Sequence, residues 1–284
     1  MYYAKKHKQN QFHLFNQKEF DQQQQKANLL IDIENDLKAN NFVMYYQPRD
    51  NIITNEIVGF ESLVRWNFQG KEVRTPHQFL PYIEHDHLLI KLGKKILNNV
   101  FIQVNAWLLS GFHWPVSINL VAPQLADASI LKLISHLVEM HPKVVPYIHI
   151  EVTESTIFET SSMIIDAIDE LQTHGFKIVL DDFGTGYSSI YSLKKLAFEV
   201  IKIDKCFIDD ILTQNSDNLL ILNTLIQLVQ GLSLDIICEG VETQEQVDYL
   251  KHIGCDVVQG FYYHKPMPKH EVLQYIKLSR KLLP

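Results

Sequence analysis

The chain is short of cysteine, of positive charge and of long apolar runs, and each shortage excludes something. Its three cysteines, Cys206, Cys238 and Cys255, have no zinc-site spacing and cannot form an even disulfide set. They suit a reducing compartment, as small buried residues. No apolar run approaches the ~20 residues that cross a bilayer. The nearest, from Leu219 to Leu234, is interrupted by Asn223, Gln227 and Gln230. No secretory leader opens the sequence, so a cytoplasmic location is expected. The formal net charge of −7 implies no general nucleic-acid-binding surface. His7, His85, His87, His141, His252 and His264 lack ligand spacing and are expected at the surface. What is plentiful is apolar surface: 46% of the 284 residues are hydrophobic, enough for a sizeable core and too much for disorder.

The first forty residues differ from the rest. Met1-Tyr2-Tyr3-Ala4-Lys5-Lys6 reads as a short basic helix, and Asn10 to Phe15 alternates like a strand. A glutamine run at 22–25 leads into apolar residues at helical spacing, Leu29, Leu30, Ile33 and Leu37, which predict a connecting helix. Residues 1–40 are therefore expected to be a tail plus linker, and 41–284 the main domain. From Phe42 on, strands are expected at 42–46, 57–65, 116–120, 148–152, 176–180, 200–203, 235–238 and 257–259. Helices are expected at 88–109, 130–140, 163–173, 188–196, 217–231, 244–253 and 269–283. Eight strands alternating with helices predict an α/β fold, a (β/α)8 barrel. Only Asp50-Asn51 and a few neighbours separate the first two strands. That is too short for a helical crossover, so the first strand is expected to be antiparallel.

Polar residues sit at the ends of nearly all these strands. Glu61 and Arg65 lie on the second and Asn119 ends the third. Glu151 and Glu154 follow the fourth, Asp181 and Asp182 the fifth, Lys202 and Asp204 the sixth. Glu239 and Glu242 follow the seventh, and Gln259 the eighth. In a barrel these ends converge on one face. Crowded carboxylates raise one another's pKa, and hard divalent cations relieve that. Glu61, Asn119, Glu151 and Asp181 make a plausible oxygen shell for one ion, and Asp182 with Asp181 for a second. Two such ions clamp a phosphate in an in-line displacement. Each residue also has a plain reading. Glu61 could pair with Arg65 or Lys202, Lys202 with Asp204, and Glu239 could be a turn residue. Only the joint pattern favours a site. A barrel glycoside hydrolase using two of the carboxylates is the rival reading, and Asn119 with Lys202 argues instead for metal and phosphate.

These stretches resemble the EAL-domain family, the cyclic-di-GMP phosphodiesterases of bacteria. The similarity runs from about Phe42 to Pro268. It rests on Tyr46-Gln47-Pro48, Glu61-Ser62-Leu63-Val64-Arg65-Trp66, Ile118-Asn119-Leu120 and Glu151-Val152-Thr153-Glu154-Ser155. It continues through Asp181-Asp182-Phe183-Gly184-Thr185-Gly186-Tyr187-Ser188-Ser189, Lys202-Ile203-Asp204, Glu239-Gly240-Val241-Glu242-Thr243 and Gln259-Gly260. The departures are small: Ser62 and Cys238 stand where alanine is common in the family. The resemblance implies hydrolysis of cyclic di-GMP by a water activated by two Mg²⁺ or Mn²⁺ ions. It implies Glu61, Asn119, Glu151, Asp181 and Asp182 as metal ligands, Glu239 as general base, and Lys202 as holder of the water and phosphate. It implies Glu154 as anchor of the loop 182–189, and Glu242 and Asp204 as residues that orient the water and the lysine. Gln47, Leu63, Arg65, Gln259 and Pro266 would contact the nucleotide. An antiparallel first strand could carry Gln47 away from the site. The same fold could also serve as a cyclic-di-GMP receptor without turnover. The opening residues resemble the end of a GGDEF, diguanylate-cyclase-type domain, which implies an upstream GGDEF or sensor domain. The helix 188–196, with Ile190, Tyr191, Leu193 and Leu196, suggests a homodimer through the region after the loop.

Overall fold

A computed structural model describes residues 17–158, 162–186, 196–213 and 216–279. The expected helix and strand within 1–15, and the helix at 188–196 except its last residue, lie outside these. Leu196 itself is buried. Among the described residues ten strands form: β1 (Phe42–Asn51), β2 (Glu56–Phe68), β3 (Glu72–Arg74), β4 (Val116–Asn119), β5 (Ile148–Thr153), β6 (Lys177–Phe183), β7 (Val200–Ile203), β8 (Asp235–Glu239), β9 (Val257–Gln259) and β10 (Met267–Pro268). Eight of them close in the order β1-β2-β4-β5-β6-β7-β8-β9 and back to β1. From β2 round to β9 the neighbours are parallel. β1 is antiparallel to both of its barrel neighbours, as the short first connection required. Small β3 extends β2, and β10 pairs with β1 at Tyr45 and Tyr46.

One boundary differs from expectation. Asp50 and Asn51 do not separate the first two strands; they belong to β1 and pair with Ile57 and Glu56. The reversal falls after them. Asn51 Oδ1 accepts from the N–H groups of Ile53 and Thr54, both at 2.9 Å, and Asn55 takes a left-handed φ of 57°. A polar Arg-Asp-Asn run looks like turn chemistry in sequence, but here two of its side chains, Arg49 and Asp50, are buried.

Side chains alternate along a strand, so residues two apart share a face. That period sorts the lumen into layers. Val179, Val200, Ile237 and Val257 form a small apolar cluster of their own. Two residues further along the same strands come Asp181, Lys202, Glu239 and Gln259. The apolar layer thus floors a polar one toward the carboxyl ends. The outward faces of the strands join the main core under the helices, where Phe60, Trp66, Ile118, Ile150 and Leu180 are buried. The helix His87–Leu109 shows how its sequence drives this. Asp86 caps it by accepting from Leu88 N–H at 2.9 Å, and Leu92, Leu97, Val100, Phe101 and Val104 line its buried stripe.

The connecting helix, Gln17–Lys38, does more than connect. Ile33 is fully buried, and Asp36 accepts from Trp66 Nε1 at 2.7 Å and from Asn41 Nδ2 at 2.6 Å. Among the cysteines, Cys238 and Cys255 are buried as expected, with sulfurs 3.1 Å apart. Cys206 is exposed, on the solvent side of the first turn of the helix Lys205–Thr213. Among the described residues, no helix is long and apolar enough to cross a membrane.

Candidate active site

Lys202 is the centre of the polar layer. It is 1% exposed, and its Nζ lies 2.7 Å from Glu239, 2.8 Å from Glu151, 3.0 Å from Asp181 and 3.6 Å from Glu61. These four carboxylates hold its pKa well above that of a free lysine, although burial alone would lower it. Glu151 is wholly buried and meets a second cation, the Arg49 guanidinium. Between Arg49 and Lys202 its carboxyl is pulled down to about 2 against the pull of burial.

The other carboxylates go the opposite way. Burial, with Glu151, Glu61 and Asp182 nearby, pushes Asp181 up to about 6, Lys202 notwithstanding. Burial, Asp181 and Glu61 push Glu239 well above the ordinary carboxylate range. Asp182 is raised by burial and by Asp204. Among the described residues, five carboxylates, Glu61, Glu151, Asp181, Asp182 and Glu239, thus face two cations, Lys202 and Arg49. The centre is short of positive charge, and Asp181, Asp182 and Glu239 are pushed toward their protonated forms. Oxygens of Asp181, Asp182 and Glu239 lie within 4.8 Å of one another, close enough to share a metal ion. An oxygen-only donor set with excess negative charge suits a hard divalent cation.

The amides complete this layer. Asn119 Nδ2 donates to Glu61 Oε1 at 2.7 Å, and Gln259 Nε2 donates to Glu61 Oε2 at 2.5 Å and to Gln47 Oε1 at 3.2 Å. Gln47 is therefore in the site. Its strand runs antiparallel, but the register sets it opposite Glu61. Leu63 and Arg65 share the face of Glu61 further along β2, half-buried, with the Arg65 guanidinium 5.6 Å from the Tyr45 ring. Pro266 is half-buried in the segment between β9 and β10.

The loop after β6 is held from below. Asp182 has a left-handed φ of 57°, and its N–H donates to Asp181 Oδ1 at 2.9 Å. Glu154, buried, accepts through Oε2 from Gly184 N–H at 3.0 Å and Gly186 N–H at 3.3 Å. A Cβ on Gly186 would come within 2.7 Å of Glu154 Oε1, so the approach depends on glycine. Asp204 accepts from Cys206 N–H at 2.9 Å. Glu242 is exposed and pairs with Lys205 at 2.9 Å, not with the buried Lys202. Gly260 permits the close approach after β9: a Cβ there would meet the Val241 carbonyl oxygen at 1.9 Å.

Two participants were not singled out from sequence. Arg49 donates to Gln259 Oε1 at 3.0 Å, to Ser117 Oγ at 2.6 Å and to Glu151. Ser117 is fully buried, and its carbonyl accepts from Ser62 Oγ at 2.6 Å. The signal available for Arg49 was its spacing two residues past Gln47, which puts both on one face of β1.

A TIM-like barrel with an acidic, lysine-centred layer at the carboxyl ends of its strands has the layout of a barrel enzyme. The chain belongs to the EAL-domain family, whose profile matches residues 31–266. It is 34% identical over 274 residues to the bifunctional diguanylate cyclase/cyclic di-GMP phosphodiesterase MucR of Pseudomonas aeruginosa, covering 96% of this chain and 40% of that protein. It is 34% identical over 275 residues to the cyclic di-GMP phosphodiesterase PdeR of Escherichia coli, covering 94% of this chain and 40% of that protein. The chain thus spans about 40% of the length of both curated relatives. The solved PaMucR phosphodiesterase in complex with c-di-GMP superposes with a TM-score of 0.81 at 34% identity, covering 86% of this chain and 99% of that one.

Proposed function

We propose that this chain is a metal-dependent phosphodiesterase that hydrolyses cyclic di-GMP to linear 5′-pGpG. The observation that carries the reading is the charge imbalance at Lys202, where five carboxylates face two cations. The names of the relatives MucR and PdeR support the substrate. Glu61, Asn119, Glu151 and Asp181 would hold one Mg²⁺ or Mn²⁺ ion, and Asp181 with Asp182 a second. When bound, such ions polarise the phosphate and acidify the attacking water. Glu239 takes the proton of that water. Its carboxylate lies 2.7 Å from Lys202 Nζ, and burial raises its affinity for a proton. Lys202 orients the water and a phosphate oxygen. Water adds to phosphorus, the bond to the ribose 3′ oxygen breaks, and the 5′ phosphate stays on the product. Gln47, Leu63, Arg65, Gln259 and Pro266 contact the nucleotide. Glu154 anchors the loop that carries Asp182, and Glu242 and Asp204 orient the water and the lysine.

A second copy of the chain would pair through the region after the loop. Leu212, on the helix Lys205–Thr213, and Leu220 and Ile221, on the helix Ser216–Gly231, are exposed and apolar. Replacing Tyr191 with aspartate and measuring mass and rate together tests this; a monomer with full turnover would separate the dimer from catalysis. Residues 1–40 are proposed to be the tail of an upstream GGDEF-like domain plus linker, in keeping with the greater length of the relatives.

Glu61→Ala tests the enzyme reading against that of a silent receptor. It removes a ligand shared with both Asn119 and Gln259. Hydrolysis is expected to vanish while nucleotide binding survives in part, because Arg65 and Gln259 remain. Turnover equal to the parent's would overturn the assignment of the ligand set.

A further inference from the structure

We infer that Arg49 is a positioning residue for the metal and nucleotide site, which it holds through Glu151 and Gln259 together. The inference rests on the functional reading above. Arg49 is 4% exposed, and its guanidinium fans across three strands other than its own. Nε donates to Gln259 Oε1 on β9 at 3.0 Å, Nη1 to Ser117 Oγ on β4 at 2.6 Å, and Nη2 to Glu151 Oε1 on β5.

Each contact fixes something the site depends on. A glutamine amide can sit either way round, and by taking Oε1 Arg49 leaves Gln259 Nε2 to face Gln47 and Glu61. With Oε1 of Glu151 committed to Arg49, Oε2 is the oxygen that meets Lys202, at 2.8 Å. The Ser117 hydroxyl sets the plane of the fork, and Ser117 is itself tied to β2 by Ser62 Oγ. Toward the amino ends of the strands Arg49 and His149 line a cavity of about 530 Å³, so the fork's orientation rests on its acceptors above. A lysine at 49 would keep the charge but could not present three donors in one plane.

The test compares the parent with Arg49→Lys. Because the charge is kept, any change reports position. Mg²⁺ binding is measured by calorimetry without substrate, and kcat and KM for cyclic di-GMP are measured separately. Residues that orient metal ligands typically alter metal affinity or activity 10–100-fold. The expected result is a Mg²⁺ affinity weaker by about tenfold and a kcat lower by at least that factor. KM should change less than kcat, and the melting temperature without metal should stay close to the parent's. A folded variant with unchanged Mg²⁺ affinity and kcat overturns the inference. If Arg49→Lys fails to fold, Ser117→Ala decides: it removes one acceptor of Arg49 and a hydroxyl hydrogen bond to Glu151, it is expected to weaken Mg²⁺ binding in the same direction, and unchanged binding overturns the inference. A parent that binds Mg²⁺ but does not hydrolyse cyclic di-GMP would fault the functional reading and leave the calorimetric comparison valid.

Discussion

At the scale of single residues, the site is governed by which carboxylates have a cation and which do not. Glu151 has two, and the energy of that arrangement appears as a pKa near 2. Asp181, at about 6, shares Lys202 with three others. The consequence for stability has a definite sign. Between about pH 4 and 6 the folded protein keeps the Asp181 proton that the unfolded chain has lost. Folding then binds more protons than unfolding, so metal-free stability falls as pH rises through this window. Glu239 and Asp182 are raised too and act in the same direction. Glu151 acts in the opposite direction, but its contribution is fully present above about pH 4.5 and is lost only as pH falls toward 2. Asp50, which burial raises to about 7, acts in the same direction as Asp181, and His149, which burial lowers to about 4, acts against them below its ordinary pKa. Thermal melts in chelator should therefore show the melting temperature declining from about pH 5 to pH 7. Asp181→Asn should make that decline shallower, and a parent profile that rises instead would contradict the charge account. Glu239→Gln should act on two readouts at once. It removes the base, at a cost of about 10²–10⁴-fold in rate, and it removes a carboxyl whose ionisation the site disfavours, so the metal-free protein should lose less stability as pH rises. A rate within roughly threefold of the parent would point to another base. The strand-end carboxylates were legible in the sequence because each follows an apolar run. Arg49 was not, because Arg-Asp-Asn reads as a turn until the register shows β1 continuing through it.

At the scale of elements, the loop after β6 depends on a residue from the neighbouring strand. Glu154→Ala would leave the N–H groups of Gly184 and Gly186 without this acceptor. Gly184 is half-buried and Gly186 exposed, so water can replace the acceptor in part, and the loss of stability should stay below the ~3 kcal/mol upper range for a hydrogen bond to a charged group. The predicted effect is a fall in kcat larger than that loss of stability implies, because Asp182 is released from its left-handed conformation. Hydrogen exchange at residues 182–186 would detect the loosening, and unchanged protection together with unchanged kcat would remove Glu154 from the account. The eight barrel strands were legible from alternation and apolar runs. The helix Lys205–Thr213 was not, since its nine residues follow directly on the polar end of β7 and offer only two buried positions, Ile208 and Ile211. β3 and β10 were missed for a similar reason: pairing defines strands of two or three residues, and pattern does not.

At the scale of the whole molecule, the chain closes a barrel with one reversed strand and caps it with a helix from upstream. The sequence marked that helix as a linker, from a glutamine run at 22–25 followed by Leu29, Leu30, Ile33 and Leu37 at helical spacing. The structure seats its second half on the core through Ile33 and Asp36. Deleting residues 1–15 is expected to leave melting temperature and turnover unchanged. Deleting through Lys38 should cost at least ~2 kcal/mol, because a buried isoleucine is lost and Trp66 Nε1 loses its acceptor. Equal melting temperatures for the two truncations would show that the helix adds nothing. The central claim is that this barrel uses divalent cations to hydrolyse cyclic di-GMP, and the most direct measurement follows cyclic di-GMP and its products by chromatography, with Mg²⁺ and with excess chelator. The account predicts conversion to linear 5′-pGpG with Mg²⁺ and none with chelator. Nucleotide that stays intact in Mg²⁺ or Mn²⁺, or is cleaved equally well in chelator, would contradict it.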